Sequence, residues 1–133
     1  MANSKEKIDE FVTAIGSDAI PRMARMLLVD KSITDINIKD STYLDRTALH
    51  HQSLNGTTGS VAWLLRQDPP PGVNVRGSDH WTPLICAVCS YEDSEGKVRL
   101  LLDHGADRDF KDRDGQGAIG CLLALIAKGP RIP

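Results

Sequence analysis

The sequence predicts an all-α fold: a short solenoid of helix pairs joined by β-turn or hairpin loops. Three features recur in register and carry that prediction. Thr47-Ala48-Leu49-His50 and Thr82-Pro83-Leu84-Ile85 lie 35 residues apart, and Gly117-Ala118-Ile119-Gly120 follows after another 35. Downstream of the first two, Val61-Ala62-Trp63-Leu64-Leu65 matches Val98-Arg99-Leu100-Leu101-Leu102. Upstream of all three stand Ile36-Asn37-Ile38-Lys39-Asp40, Val73-Asn74-Val75-Arg76-Gly77 and Arg108-Asp109-Phe110-Lys111-Asp112. Threonine caps a helix start, and proline at the first helical position forfeits no needed N–H. Gly105 is placed to end the second helix of its pair in a left-handed cap. One pair of this size cannot bury its apolar face alone, so the units must stack.

Taken in order, the chain reads as one domain, 1–133, in four units. The first, 1–40, begins with a helix opening at Ser4 to Lys7. Ile8, Phe11, Val12 and Ile15 make its apolar face, and Gly16-Ser17-Asp18 breaks it. Pro21 starts a second helix through Met23, Met26, Leu27 and Leu28, completing an N-terminal cap. Thr34 to Leu44 forms the first extended turn. The unit 41–76 carries helices at Ala48 to Leu54 and Gly59 to Arg66, joined by Asn55-Gly56. Asp68-Pro69-Pro70-Pro71-Gly72 then reads as a stiff, extended polyproline link. The unit 77–111 holds the most regular copy, with a long acidic loop at Tyr91-Glu92-Asp93-Ser94-Glu95. The truncated unit 112–133 has one helix, Ala118 to Lys128, stopped by Gly129-Pro130. Ile119, Cys121, Leu122, Leu123, Leu125 and Ile126 leave that helix almost no polar side, whereas end units normally present one.

Over roughly Asp35 to Ala127 this pattern resembles the ankyrin repeat, whose period is about 33 residues with a T-P-L-H-x-A signature. The resemblance implies a stack that binds partners through its hairpin tips and the concave side of its first helices. Carried onto this chain, the tips are Tyr43, Leu44 and Arg46, then Ser78, Asp79 and Trp81, then Arg113, Asp114 and Gln116. The concave positions are Leu54, Asn55, Cys89 and Ser90. Tyrosine, tryptophan and arginine are the types enriched at binding hot spots. Tyr43, Arg46, Asp79 and Trp81 are therefore the expected anchors, with Leu44, Asn55 and Cys89 beside them. His50 matches the signature histidine, whose usual work is structural hydrogen bonding. Two positions depart from the pattern. Gln52 stands where the signature has alanine, and a polar group in so crowded a place costs about 1–3 kcal/mol unless it finds partners. His51 is an additional histidine.

Composition narrows the function classes. The 133 residues are 41% hydrophobic with a net charge of −2, which gives no electrostatic case for nucleic acid or an anionic membrane. Three cysteines without framework spacing point to a reducing compartment, cytoplasmic or nuclear. Met1 to Glu10 is polar, which disfavours secretion. The longest apolar run, Ala118 to Ala127, falls short of the roughly 20 residues of a membrane span. Cys86-Ala87-Val88-Cys89 has C-x-x-C spacing, but zinc needs two further ligands and no second pair exists. No metal and no cofactor are expected. The function expected is non-catalytic protein–protein recognition, of a scaffold kind, with Asp40, Asp45, Asp79, Asp112 and Asp114 favouring a basic partner. Two alternatives stand beside it. One is a small cofactor-free enzyme of isomerase, cyclase or hydrolase type, using His51, His50, Asp45, Asp79 and His80 around a pocket at His51 and Gln52 lined by Leu54, Trp81 and Cys86. The other is an assembly subunit that forms a homo-oligomer by stacking through its open C-terminal helix.

Overall fold

In a computed structural model of the chain, residues 4–115 and 117 are described. They form a stack of helix pairs: α1 (Ser4–Val12) with α2 (Ala19–Ala24), α3 (Ala48–Asn55) with α4 (Thr58–Leu65), and α5 (Pro83–Val88) with α6 (Ser94–Asp103). Among the described residues there is no sheet. Isolated bridges between Asp40 and Arg46 and between Lys111 and Gly117 close two of the hairpins. Gln116, the helix expected at Ala118 to Lys128 and the apolar C-terminal face lie outside the described residues.

The caps explain where the helices begin. Thr47 accepts from the His50 N–H, Thr57 from Ser60, Thr82 from Ile85 and Asp93 from Gly96, and each satisfies a donor with no intrahelical partner. Pro83 occupies the first position of α5, all six residues of which are buried. Beyond α6, Gly105 adopts φ +92°. Its N–H donates to the Leu102 carbonyl, and that of Ala106 to Leu101. This Schellman arrangement is the helix end that the glycine predicts.

The first unit departs from expectation in three ways. α1 ends at Val12, short of Ile15, and the Ala14 carbonyl beyond its end accepts from the Gln52 side chain. Ile15 is then 55% exposed and has left the apolar face. α2 begins at Ala19, two residues before Pro21, which the first turn tolerates since its N–H groups need no helical partner. It continues through Arg25–Val29 as a π-helical turn. That wider turn shifts the register: Met23 and Met26 are buried while Leu28 is 60% exposed. Farther on, residues 67–69 bend, with the Asp68–Pro69 peptide cis, where the three prolines predict a straight link.

One continuous core runs through the stack, from Phe11, Val12 and Met23 through Leu49, Val61 and Leu64 to Leu84, Ile85 and Leu101. A charge lies inside it. Lys97 is fully buried, and its ammonium donates to Ser90 Oγ at 2.8 Å. Burial lowers its pKa, against the pull of Glu92 and Asp93.

Polar contacts recur between units at close to the period of the sequence. Asn37 Oδ1 accepts from the Gly72 N–H at 2.7 Å, and Asn74 Oδ1 from Asp107 at 2.8 Å. At the tips, the Ser78 N–H donates to the Leu44 carbonyl at 2.8 Å and the Arg113 N–H to Asp79 at 3.0 Å. The first of these contacts depends on Gly77, where a Cβ would sit 2.6 Å from the Leu44 oxygen. Gly77→Ala should therefore cost about 1–3 kcal/mol, measured as a fall in the urea midpoint. An unchanged midpoint would show that the two tips separate freely.

Candidate partner-binding surface

The first hairpin is two residues longer than the second, since Asp40 and Gly77 are 37 apart while Thr47 and Thr82 are 35 apart. The extra length folds as a 3-10 turn, Ser41–Tyr43, capped by the Asp40 carboxylate, which accepts from the Thr42 N–H. Leu44 and Asp45 follow with φ of 61° and 53°. This left-handed corner leaves Tyr43 and Leu44 48% and 49% exposed, an apolar knob on the tip.

Behind the knob, Arg46 ties the two tips together. Its Nη2 donates to Asp79 Oδ2 at 2.7 Å, and its guanidinium lies 4.9 Å from the centre of the Trp81 ring. The pair is mostly shielded from solvent, which favours the stacked cation. Burial alone would raise the Asp79 carboxyl. The Arg46 hydrogen bond, the Trp81 N–H and the Arg46 charge outweigh it and hold the group below its ordinary value. Trp81 is half-buried against the core, so it serves the hairpin as well as the surface. The coupling had a sequence signal: Arg46 and Trp81 are 35 residues apart, and equivalent positions stack face to face. At a neighbouring position Arg76 lies 4.3 Å from the centre of the Phe110 ring.

The residues considered for acid–base chemistry have other occupations. His50 is fully buried. Its Nδ1 accepts from the Thr47 N–H at 3.1 Å, while its Nε2 contacts the Trp81 carbonyl at 2.8 Å and so carries the proton. Burial, opposed by that carbonyl, takes its pKa down to about 4. His51 is half-buried on α3, and burial and then the Arg46 charge lower its pKa too. Asp79 is engaged by Arg46, Asp45 is half-buried in the left-handed corner, and His80 is exposed with φ 67°. Asn55 is exposed at the end of α3, and Cys89 is half-buried at the end of α5.

Gln52 has the partners its position demands. It is fully buried. Its Nε2 donates to the Ala14 carbonyl at 2.5 Å, and its Oε1 accepts from Ser60 Oγ at 2.8 Å. The cavity beside it measures about 370 Å³. It is lined by Ile15, Ala19, Ile20, Asn55 and Ser60 among others, and by none of His51, Leu54, Trp81 or Cys86. Among the described residues no three His, Cys, Asp or Glu side chains form a metal-binding group, and no helix is long and apolar enough to cross a membrane.

The family model for ankyrin repeats matches residues 13–112, in three copies. No curated protein matches the chain.

Proposed function

This chain belongs to the ankyrin repeat family, whose members are generally protein–protein interaction modules, and on that premise we propose that it recognises a protein partner through its row of hairpin tips and the adjoining concave face. The observation that supports this most is the pre-assembled pair of tips. Arg46 is locked to Asp79 and Trp81 across the repeat boundary, and Tyr43 and Leu44 project in front of them. Ordering these side chains before contact removes part of the entropy that binding otherwise loses. Tyr43 and Leu44 are the anchors, Arg46, Asp79 and Trp81 form their base, and Asn55 and Cys89 extend the surface along the helices. With Asp79 matched by Arg46, the remaining tip acids Asp45 and Asp114 favour a basic segment in the partner. An intracellular setting, cytoplasmic or nuclear, suits the thiols of Cys86 and Cys89.

Affinity capture with mass spectrometry, run in parallel on the wild type and a Tyr43→Ala, Leu44→Ala variant, tests the proposal. The side chains are half exposed, so the variant should keep its circular dichroism and urea midpoint. It should lose the captured partner, with an affinity at least about 30-fold weaker, as for a hot spot of about 2 kcal/mol. Equal capture by both proteins would reject the tips as the binding surface.

A further inference from the structure

The cavity beside Gln52 lies where the helices of each pair are joined. Its walls come from the α1–α2 loop and the start of α2, from the α3–α4 loop, and from Glu92 of the α5–α6 loop. The hairpin tips adjoin α3 at Thr47, whereas the cavity adjoins it at Asn55, about 12 Å farther along the helix. Of the residues given to the partner surface above, Asn55 alone also lines this cavity among the described residues. Its volume, about 370 Å³, is that of a site able to take a small ligand or a partner's side chain. Gln52 and Ser60 are hydrogen-bonded to each other. Ile15, Ala19 and Ile20 supply an apolar wall, with Ile15 55% exposed. Among the described residues Glu92 is the one ionisable group of the lining, and it is exposed.

The acidic α5–α6 loop is held firmly in place. Ser90 Oγ accepts from the buried Lys97 ammonium at 2.8 Å and from the Glu92 N–H at 3.2 Å. The Ser94 hydroxyl donates to the Ala87 carbonyl at 2.7 Å. Asp93, with φ of 45°, accepts from the Thr58 hydroxyl at 2.6 Å, which ties the loop to α4. A buried ammonium and a left-handed aspartate each cost free energy, and both fix the segment that presents Tyr91 and Glu92. Tyr91 is 87% exposed there. Among the described residues neither Glu92 nor Asp93 takes part in an ion pair, whereas Glu95 is matched by Arg99 and Asp18 by Arg22. Lys97 attracts both acids from beneath, but its ammonium is closed off from solvent.

We propose that this edge is a second docking surface, which takes a protein segment carrying an aliphatic side chain next to an arginine. The aliphatic group enters the cavity against Ile15 and Ile20, and the guanidinium pairs with Glu92 and stacks on Tyr91. Charge selects a cation, because the lining and its loop offer carboxylates without a matching surface cation. Shape selects arginine over lysine, since a planar guanidinium meets a carboxylate through two N–H groups and lies flat on an aromatic ring. Burial of the aliphatic group supplies affinity, and the ion pair sets the orientation. The loop is ordered before contact, so little entropy is lost on docking. This surface stands independently of the hairpin tips.

Nuclear magnetic resonance titration of the intact chain tests the surface, with N-acetyl-leucyl-arginine amide and N-acetyl-arginyl-leucine amide as probes and N-acetyl-leucyl-glutamate amide as the control. Either arginine dipeptide should shift the Ile15 and Ile20 methyls and the Tyr91 and Glu92 amides saturably, with a Kd of about 1 mM or tighter. The glutamate dipeptide should bind at least about tenfold more weakly. Glu92 and Tyr91 are exposed, so Glu92→Gln and Tyr91→Ala should keep the fold and each weaken the arginine dipeptide about threefold. The Tyr43→Ala, Leu44→Ala variant should bind it as the wild type does, so failure of this surface and failure of the tips are read apart. Absence of saturable shifts at Ile15 and Ile20 with both arginine dipeptides would overturn the proposal. So would equal affinity for the arginine and glutamate probes, or affinity unchanged by Glu92→Gln.

Discussion

Replacing Gln52 with alanine should lower the unfolding free energy by about 2–4 kcal/mol, although alanine is the residue that the repeat signature places there. The reason is local to this chain. The Gln52 amide joins three segments: the α1–α2 loop through the Ala14 carbonyl, α3 itself, and α4 through Ser60. Alanine would leave the Ala14 carbonyl without its donor in a fully buried setting and open a void beside it. Ser60 would fare better, since its single hydroxyl proton can turn to the Thr57 carbonyl, also 2.8 Å away. Urea unfolding with an unchanged slope measures the loss, and a fall below about 1 kcal/mol would show that water replaces the amide. The same side chain makes the tightest of three contacts at Gly56, where a Cβ would lie 2.1 Å from Gln52 Oε1, 2.8 Å from Ser60 Oγ and 2.9 Å from the Gln52 carbonyl. Gly56→Ala should consequently do less harm in the Gln52→Ala background than alone, a coupling that a double-mutant cycle reads.

Acid should destabilise the protein through His50. The folded imidazole titrates at about 4 against 6.5 for the free side chain. Below pH 6.5 the unfolded chain therefore takes up a proton that the folded chain refuses. Stability falls with pH by about 2 kcal/mol at pH 5 and about 3 kcal/mol at pH 4, then levels off. Structurally, a proton on Nδ1 would turn the acceptor of the Thr47 N–H into a second donor facing it. Denaturant titrations at pH 7 and pH 5 check the effect. His50→Gln should be less stable at pH 7 yet lose far less between the two values. The slope that remains includes His51, whose shift has the same direction, and Asp40, whose shift has the opposite one. Identical losses in wild type and His50→Gln would exclude His50 as the source.

Much of this was legible in the residues because it is decided within a few positions. Thr82-Pro83 sets the start of α5, Gly105 the end of α6, and the 35-residue recurrence the stacking. The tip residues were legible by the same register. What escaped depends on partners distant in the chain. Nothing near Gln52 reveals that a carbonyl 38 residues upstream will take its amide and make the odd residue of the signature a structural tie. The π-helical turn after Ala24 cannot be read from Arg25-Met26-Leu27-Leu28, whose apolar pattern fits an ordinary helix equally well.

The contacts between successive units give the array a chemical direction. At each repeating junction the later unit contributes backbone N–H groups (Gly72, Ser78, Asp107, Arg113) and the earlier unit contributes oxygens (Asn37, Leu44, Asn74, Asp79). Side chains run the other way: Lys39, Arg46, His50 and Asn74 of the earlier units each donate forward to an oxygen of the next. The main-chain donors at these four contacts all belong to the later unit, so the order of the units is written into their junctions as well as into the sequence.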